Sequence, residues 1–112
     1  MTPNQKDIIA SSLIKQKFYK GQAIIQEGDP GSTFYYIKEG NASVYKASKF
    51  QRKLTKGDSF GEQSLYYNTM RQYTIKADED VVCLILGRDT LHKTMGENIY
   101  EVTFKNFIKW AF

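Results

Sequence analysis

The chain is poor in the residues that most chemistry needs. It has one cysteine and one histidine in 112 residues, and no apolar run approaching the ~20 residues that a bilayer-crossing helix requires. A single cysteine cannot close an internal disulfide. Cys83 sits within Val81-Val82-Cys83-Leu84-Ile85-Leu86 and reads as a buried strand residue. The opening residues are polar and lack the apolar stretch of a secretory signal, so a cytoplasmic location with no membrane partner is expected. The lone histidine, His92, excludes metal sites built from two or three imidazoles, and nothing supports a Ser-His-Asp set around it. Glu62 with Glu27 or Asp29 as an acid–base pair carries little weight, because such pairings are common by chance. No catalytic or metal-binding residue is therefore assigned. Internal repeats and low-complexity tracts are also lacking.

Lys and Arg number 16 against 12 Asp and Glu, for a net charge of +4 and a pI near 9.1. The cations are spread along the chain and interleaved with acids, so no basic stripe for nucleic acid is expected. One domain covering 1–112 is the natural reading of the length.

What is present is mainly β patterning. Residues 7–13 carry Ile8, Ile9, Ser12 and Leu13 at helical spacing, with Pro3 suited to a helix start, and predict a short helix. From residue 14, runs rich in Ile, Val, Tyr, Phe and Thr recur about every ten residues, the spacing of an antiparallel sandwich or barrel. They cover 14–19, 23–27, 33–38, 42–46, 52–55, 73–77 and 81–86. Gly21, Gly28-Asp29-Pro30-Gly31, Gly40-Asn41, Gly57-Asp58 and Asp78-Glu79-Asp80 punctuate them. Alternation places Ala42 with Val44 on one face, and Tyr73 with Ile75 and Ala77 on another. After Gly87 the period turns helical. Asp89-Thr90 can cap a helix bearing Leu91 and Met95 and stopped by Gly96; a second runs from Asn98 to the end. Its apolar residues are too many for one buried stripe, and the chain stops on Phe112 without a helix-ending signal, so a fragment of a longer protein is expected.

The most informative segment interrupts the β region. Phe60-Gly61-Glu62 is followed by a short helical stretch over 62–67, and Arg71 stands ten positions after Gly61. A glycine turn into a helix presents free backbone N–H groups on which an anion can sit. Arg71 can add a forked pair of charge-assisted hydrogen bonds to the same anion. Glu62 repels an anion and must accept from a neutral group, such as a sugar hydroxyl. A phosphate with a hydroxyl beside it describes a ribose cyclic phosphate.

Phe60-Gly61-Glu62-Gln63-Ser64-Leu65, followed by Met70-Arg71-Gln72-Tyr73-Thr74, resembles the phosphate-binding cassette of the cyclic nucleotide-binding domain family. Gly21 to Gly31 resembles that family's first hairpin, and Phe34-Tyr35-Tyr36-Ile37-Lys38-Glu39-Gly40 its next strand and turn. The resemblance implies an eight-stranded β-roll or jelly-roll barrel over 14–87, its cassette spanning 60–74. An N-terminal helix, a short cassette helix and two C-terminal helices over 88–112 would flank it. It implies a nucleotide site made by Gly61, Glu62, Gln63, Ser64, Arg71, Gln72 and Tyr73, taking cGMP or cAMP and no other cofactor. Arg71 would hold the ring phosphate, Glu62 the ribose 2′-hydroxyl, and Gly61, Gln63 and Ser64 would act through their backbones.

Three positions depart from the family wording. Ser32 stands where an acid often engages the arginine. Gln72 replaces an alanine or threonine, and Tyr73 a small residue. A threonine in the first of these slots favours guanine. Gln72 could accept from the guanine amino group or crowd the pocket, and Tyr73 is expected to point into the barrel. Tyr100, Phe104, Phe107 and Trp110 are either core or part of a lid stacking on the purine.

The segments 84–91 and 106–112 look most like regulatory domains of cyclic-nucleotide-dependent protein kinases, the cGMP-dependent type above the cAMP-dependent. The implied function is reversible ligand binding passed to a kinase catalytic domain or a neighbouring cyclic nucleotide-binding domain, with no catalysis in this piece. The rival reading is a degenerate domain that keeps the fold as a docking module. A small oligonucleotide-binding barrel is the other rival, suggested by basicity and tyrosines.

Overall fold

The computed structural model describes residues 13–61 and 69–89. Ten strands account for most of them: β1 Ile14–Phe18, β2 Ala23–Ile25, β3 Pro30–Gly31, β4 Thr33–Glu39, β5 Ala42–Lys46, β6 Lys49–Leu54, β7 Ser59–Phe60, β8 Thr69–Met70, β9 Thr74–Ala77 and β10 Val81–Gly87. All pairings are antiparallel. One sheet has the order β1-β10-β4-β7, a second β2-β9-β5-β6, and β3 pairs with β8 as a small ribbon.

The expected mainly β, jelly-roll-like architecture is present, while the eight-stranded barrel is corrected. Among the described residues the strands form a jelly-roll-like pair of four-stranded sheets plus the ribbon, with no ladder joining one sheet to the other. Strands β3, β7 and β8 are two residues each, too short to show alternation in a sequence. Strand β6 begins at Lys49 rather than near 52, because its first five residues are all exposed and give no apolar period. The helices predicted at 7–13, 62–67 and beyond 88 lie outside the described residues, apart from end residues.

The core lies between the inner faces of the two sheets. Alternate residues of β10 (Val81, Cys83, Ile85) face Ala42, Val44 and Leu54 of the second sheet, together with Ile75 and Ala77, and Ile37 and Phe18 complete the cluster. Cys83 is fully buried, as expected, and burial pushes its thiol up to about 12. Each large apolar side chain so enclosed contributes about 1.5–3 kcal/mol. A bulge between Val82 and Cys83 shifts the β10–β4 register. Past it, Ile85 lies opposite Tyr35, which on its other side lies opposite Phe60 of β7. The ladder thus delivers Gly61 to the start of β4.

Candidate functional site

Arg71 follows β8, and its backbone is clamped by the loop before β3. Its N–H donates to the Asp29 carbonyl at 2.7 Å, and its carbonyl accepts from the Gly28 N–H at 2.8 Å. These bonds continue the β3–β8 ribbon by one residue and fix where the side chain leaves the main chain. The side chain then runs to the start of β4. Nη2 donates to the Thr33 carbonyl at 2.9 Å and to Thr33 Oγ1 at 3.1 Å. Thr33 Oγ1 in turn donates to the Tyr35 hydroxyl at 3.2 Å. The guanidinium carbon lies 5.9 Å from the centre of the Tyr35 ring, within cation–π range. Tyr35 itself is stacked on Phe60, with centroids 4.9 Å apart and planes 11° from parallel. An aromatic column thus ties the guanidinium to the core.

Gly61 comes to the same place from β7. Its φ is +81°, a conformation that residues with a Cβ enter at a cost. A Cβ there would lie 2.8 Å from the Thr33 carbonyl oxygen and 2.9 Å from Arg71 Nη1. Glycine is therefore required twice over, by the turn and by the closeness of the guanidinium.

Only 8% of Arg71 is exposed. Burial holds its pKa below the usual arginine range, and the Tyr35 hydroxyl acts weakly the other way. A guanidinium stays protonated even so. A desolvated cation beside a glycine turn gains much from a small anion. Arg71 also lines an open cleft of about 240 Å³, together with Thr33, Tyr35, Asp29 and Ser32.

The structure brings two of the sequence-predicted residues together, Gly61 and Arg71. Gln72 and Tyr73 are exposed and do not line that cleft. The expectation for Tyr73 is corrected. It is 40% exposed, with the Lys46 ammonium 5.5 Å from its ring centre. The chain bends at Tyr73 and β9 starts only at Thr74, so the alternation of β9 does not reach back to it. Thr74 is buried instead, its hydroxyl accepting from the Glu27 N–H and the Gln26 side-chain amide. Glu62, Gln63 and Ser64 lie outside the described residues. Thr33 and Tyr35, which position Arg71, were read from sequence only as strand residues. The signal was the serine at position 32 in place of an acid. Ser32 makes its own bond through its carbonyl, to the Arg88 N–H, and the next residue along carries the contact to Arg71.

Fold and site together define a small antiparallel β domain presenting a buried arginine at a glycine turn, an arrangement fitted to a compact anion. The chain belongs to the cyclic nucleotide-binding domain family, whose pattern matches residues 15–98. That domain is a ligand-binding regulatory module and not a catalytic one. The chain is 41% identical over 108 residues to a cGMP-dependent protein kinase of Eimeria tenella, covering 96% of this chain and 11% of the kinase. It is 35% identical over 96 residues to a cAMP-dependent protein kinase regulatory subunit of Hypocrea atroviridis, covering 86% of this chain and 21% of the subunit. The chain thus spans only about a tenth to a fifth of these curated relatives. Among solved structures it matches cAMP-bound PfPKA-R (141–441) with a TM-score of 0.75 and 34% identity, over 98% of this chain and 40% of that one. Among the described residues no helix is long and apolar enough to cross a membrane.

Proposed function

We propose that this chain is the sensor of a signalling protein, binding cGMP or cAMP reversibly and passing occupancy to an attached or associated protein kinase catalytic domain. The observation that carries the reading is the buried Arg71 guanidinium held against Gly61. Arg71 takes the ring phosphate with the backbone amides of Gly61, Gln63 and Ser64, and Glu62 accepts from the ribose 2′-hydroxyl. Gln72 and Tyr73 are exposed and do not line the cleft that Arg71 lines, which supports an uncrowded pocket over the degenerate reading. Phosphate capture draws the cassette inward and lets the C-terminal helices move, which converts occupancy into a change of shape. Similarity to both cGMP-dependent and cAMP-dependent kinase proteins supports a cyclic nucleotide, with cGMP the first choice, and a cytoplasmic setting.

Calorimetric titration with cGMP and with cAMP tests the reading. Saturable binding of one or both is expected, together with a rise in melting temperature by mass action. A 2′-deoxy analogue is expected to bind about tenfold more weakly, the worth of one buried charge-assisted hydrogen bond. A folded chain indifferent to both nucleotides at millimolar concentration refutes the function, and equal affinity for the deoxy analogue removes Glu62 from its role.

A further inference from the structure

Tyr35 carries a hydroxyl that its packing does not require. Its ring is stacked on Phe60, meets Phe18 edge-on with centroids 6.3 Å apart at 67°, and packs against the core cluster. A phenylalanine would make the same ring contacts. The hydroxyl lies toward Arg71 in the cleft that both residues line, since it meets Thr33 Oγ1 at 3.2 Å, and Thr33 Oγ1 meets Arg71 Nη2 at 3.1 Å. Counting protons along that chain fixes its direction. A guanidinium only donates, so Thr33 Oγ1 accepts from Nη2. The single O–H of Thr33 then goes to the Tyr35 oxygen. The phenol therefore accepts from Thr33 and still has its own O–H to give. Among the described residues no group accepts it. Two other polar residues that line the cleft are engaged elsewhere: the Asp29 carbonyl accepts the Arg71 N–H, and the Gln26 amide donates to Thr74.

From this chain of donors we infer that Tyr35 is a second side chain on the ring phosphate, its O–H donating to an exocyclic oxygen of the anion that Arg71 holds. The inference rests on the cyclic nucleotide reading and deepens it by adding a ligand contact outside the cassette, on β4. A ring phosphate has two exocyclic oxygens sharing one negative charge, so it can take a guanidinium and a phenol side by side. An O–H bonded to an anionic oxygen is charge-assisted and stronger than the same bond to a neutral sugar hydroxyl. The chain also strengthens its last member. Donation from Arg71 into Thr33, and from Thr33 into the phenol oxygen, polarises the Tyr35 O–H toward the ligand. The rings of Phe60 and Phe18 hold the phenol in place, so little freedom is lost when the anion arrives.

The test is calorimetric titration of the 112-residue chain with cGMP and cAMP, the tighter of the two being carried to the variants. Tyr35→Phe removes the hydroxyl and keeps the ring, and should weaken binding by at least about tenfold. Thr33→Val cuts the link between Arg71 and Tyr35 while keeping the bond from Arg71 to the Thr33 carbonyl. In that background Tyr35→Phe should still weaken binding, because the phenol touches the ligand itself. A role confined to positioning Arg71 acts through Thr33, and the loss would then disappear. Thr33→Ala is the alternative background, and circular dichroism checks that each variant stays folded. The loss on Tyr35→Phe should be the same for the 2′-deoxy analogue, since the contact is to phosphate. Three results overturn the inference while leaving the nucleotide site in place: Tyr35→Phe binding as well as the parent, a loss seen only when Thr33 is present, or a loss that vanishes with the deoxy analogue. A parent chain that binds neither nucleotide overturns the proposed function, and this contact with it.

Discussion

Among the turns that hold the chain at positive φ, those at Gly61 and at the β5–β6 hairpin do so for opposite reasons. At Gly61 the residue is glycine, φ is +81°, and the position is crowded by Thr33 and Arg71. At the tip of the β5–β6 hairpin the residues are Ala47 and Ser48, with φ of 51° and 66°, and both are exposed. The first turn uses glycine to let a guanidinium approach the backbone. The second accepts strain that asparagine and glycine would relieve, in a solvent-exposed place. The charges follow the same division. Near Gly61 one cation is buried and held by a carbonyl and a hydroxyl. Along the hairpin the cations are exposed, and Lys53 pairs with Asp78 at the surface. A cation's worth is set by its surroundings more than by its number, so the net charge of the chain says little about where it acts.

The sharpest way to break this contrast is to remove one cation from each region. Arg71→Ala is expected to weaken cyclic nucleotide binding by two to four decades in dissociation constant, about 3–5 kcal/mol, as for one partner removed from a desolvated charge pair. Lys49→Ala should leave the same titration unchanged within error. If calorimetry shows the two variants alike, the buried guanidinium has no special place in ligand capture.

Next in size is the glycine itself. Gly61→Ala must place its Cβ 2.8 Å from a backbone oxygen, which cannot swing aside as a side-chain end can. Left-handed strain adds to this. A loss of about 2–4 kcal/mol of stability is expected, read from the urea midpoint, with nucleotide affinity falling because Arg71 is displaced. At the hairpin the sign reverses. Ala47→Asn with Ser48→Gly supplies the residues that a two-residue turn with two positive φ angles prefers, and should raise stability by about 1–2 kcal/mol. An unchanged or lower urea midpoint would mean that the tip is not strained in solution.

How far the sequence discloses this arrangement differs between the same two regions. Phe60, Gly61 and Arg71 are legible because a glycine turn and a guanidinium are local chemical signals at a short spacing. Their support is not legible, since Thr33 lies 38 positions from Arg71 and only tertiary pairing joins them. The seven apolar runs locate seven strands, with ends displaced by a few residues, while the two-residue strands β3, β7 and β8 carry no periodicity to detect. Tyr73 shows the limit of extrapolated alternation: one bend before β9 turns a predicted inward ring outward. The basic hairpin was hidden for a different reason. Its four cations, Lys46, Lys49, Arg52 and Lys53, are separated by apolar and polar residues, and the register divides them between the two faces of the sheet, Lys53 opposite Ser43 beside Lys76 and Arg52 opposite the buried Val44.

The smallest effect tests whether any charge of the second sheet contributes to folding. The Asp78 carboxylate accepts from Ser43 Oγ at 2.9 and 2.7 Å and from Lys53 Nζ at 2.9 Å. Burial alone would raise its pKa, but the bonds from Ser43 and Lys53 outweigh burial and hold it below the ordinary 3.8. A carboxylate with a depressed folded value adds stability that is fully present above the unfolded value. That stability is lost as pH falls through the folded one. Asp78→Asn should therefore cost about 1 kcal/mol or less at neutral pH. The gap between variant and parent should close on acidification below about pH 3.8. Urea midpoints measured across that range decide the matter. A gap that stays constant with pH would assign the loss to the geometry of the Ser43 bond and leave the Lys53 charge without a share in stability, as for the rest of the exposed hairpin.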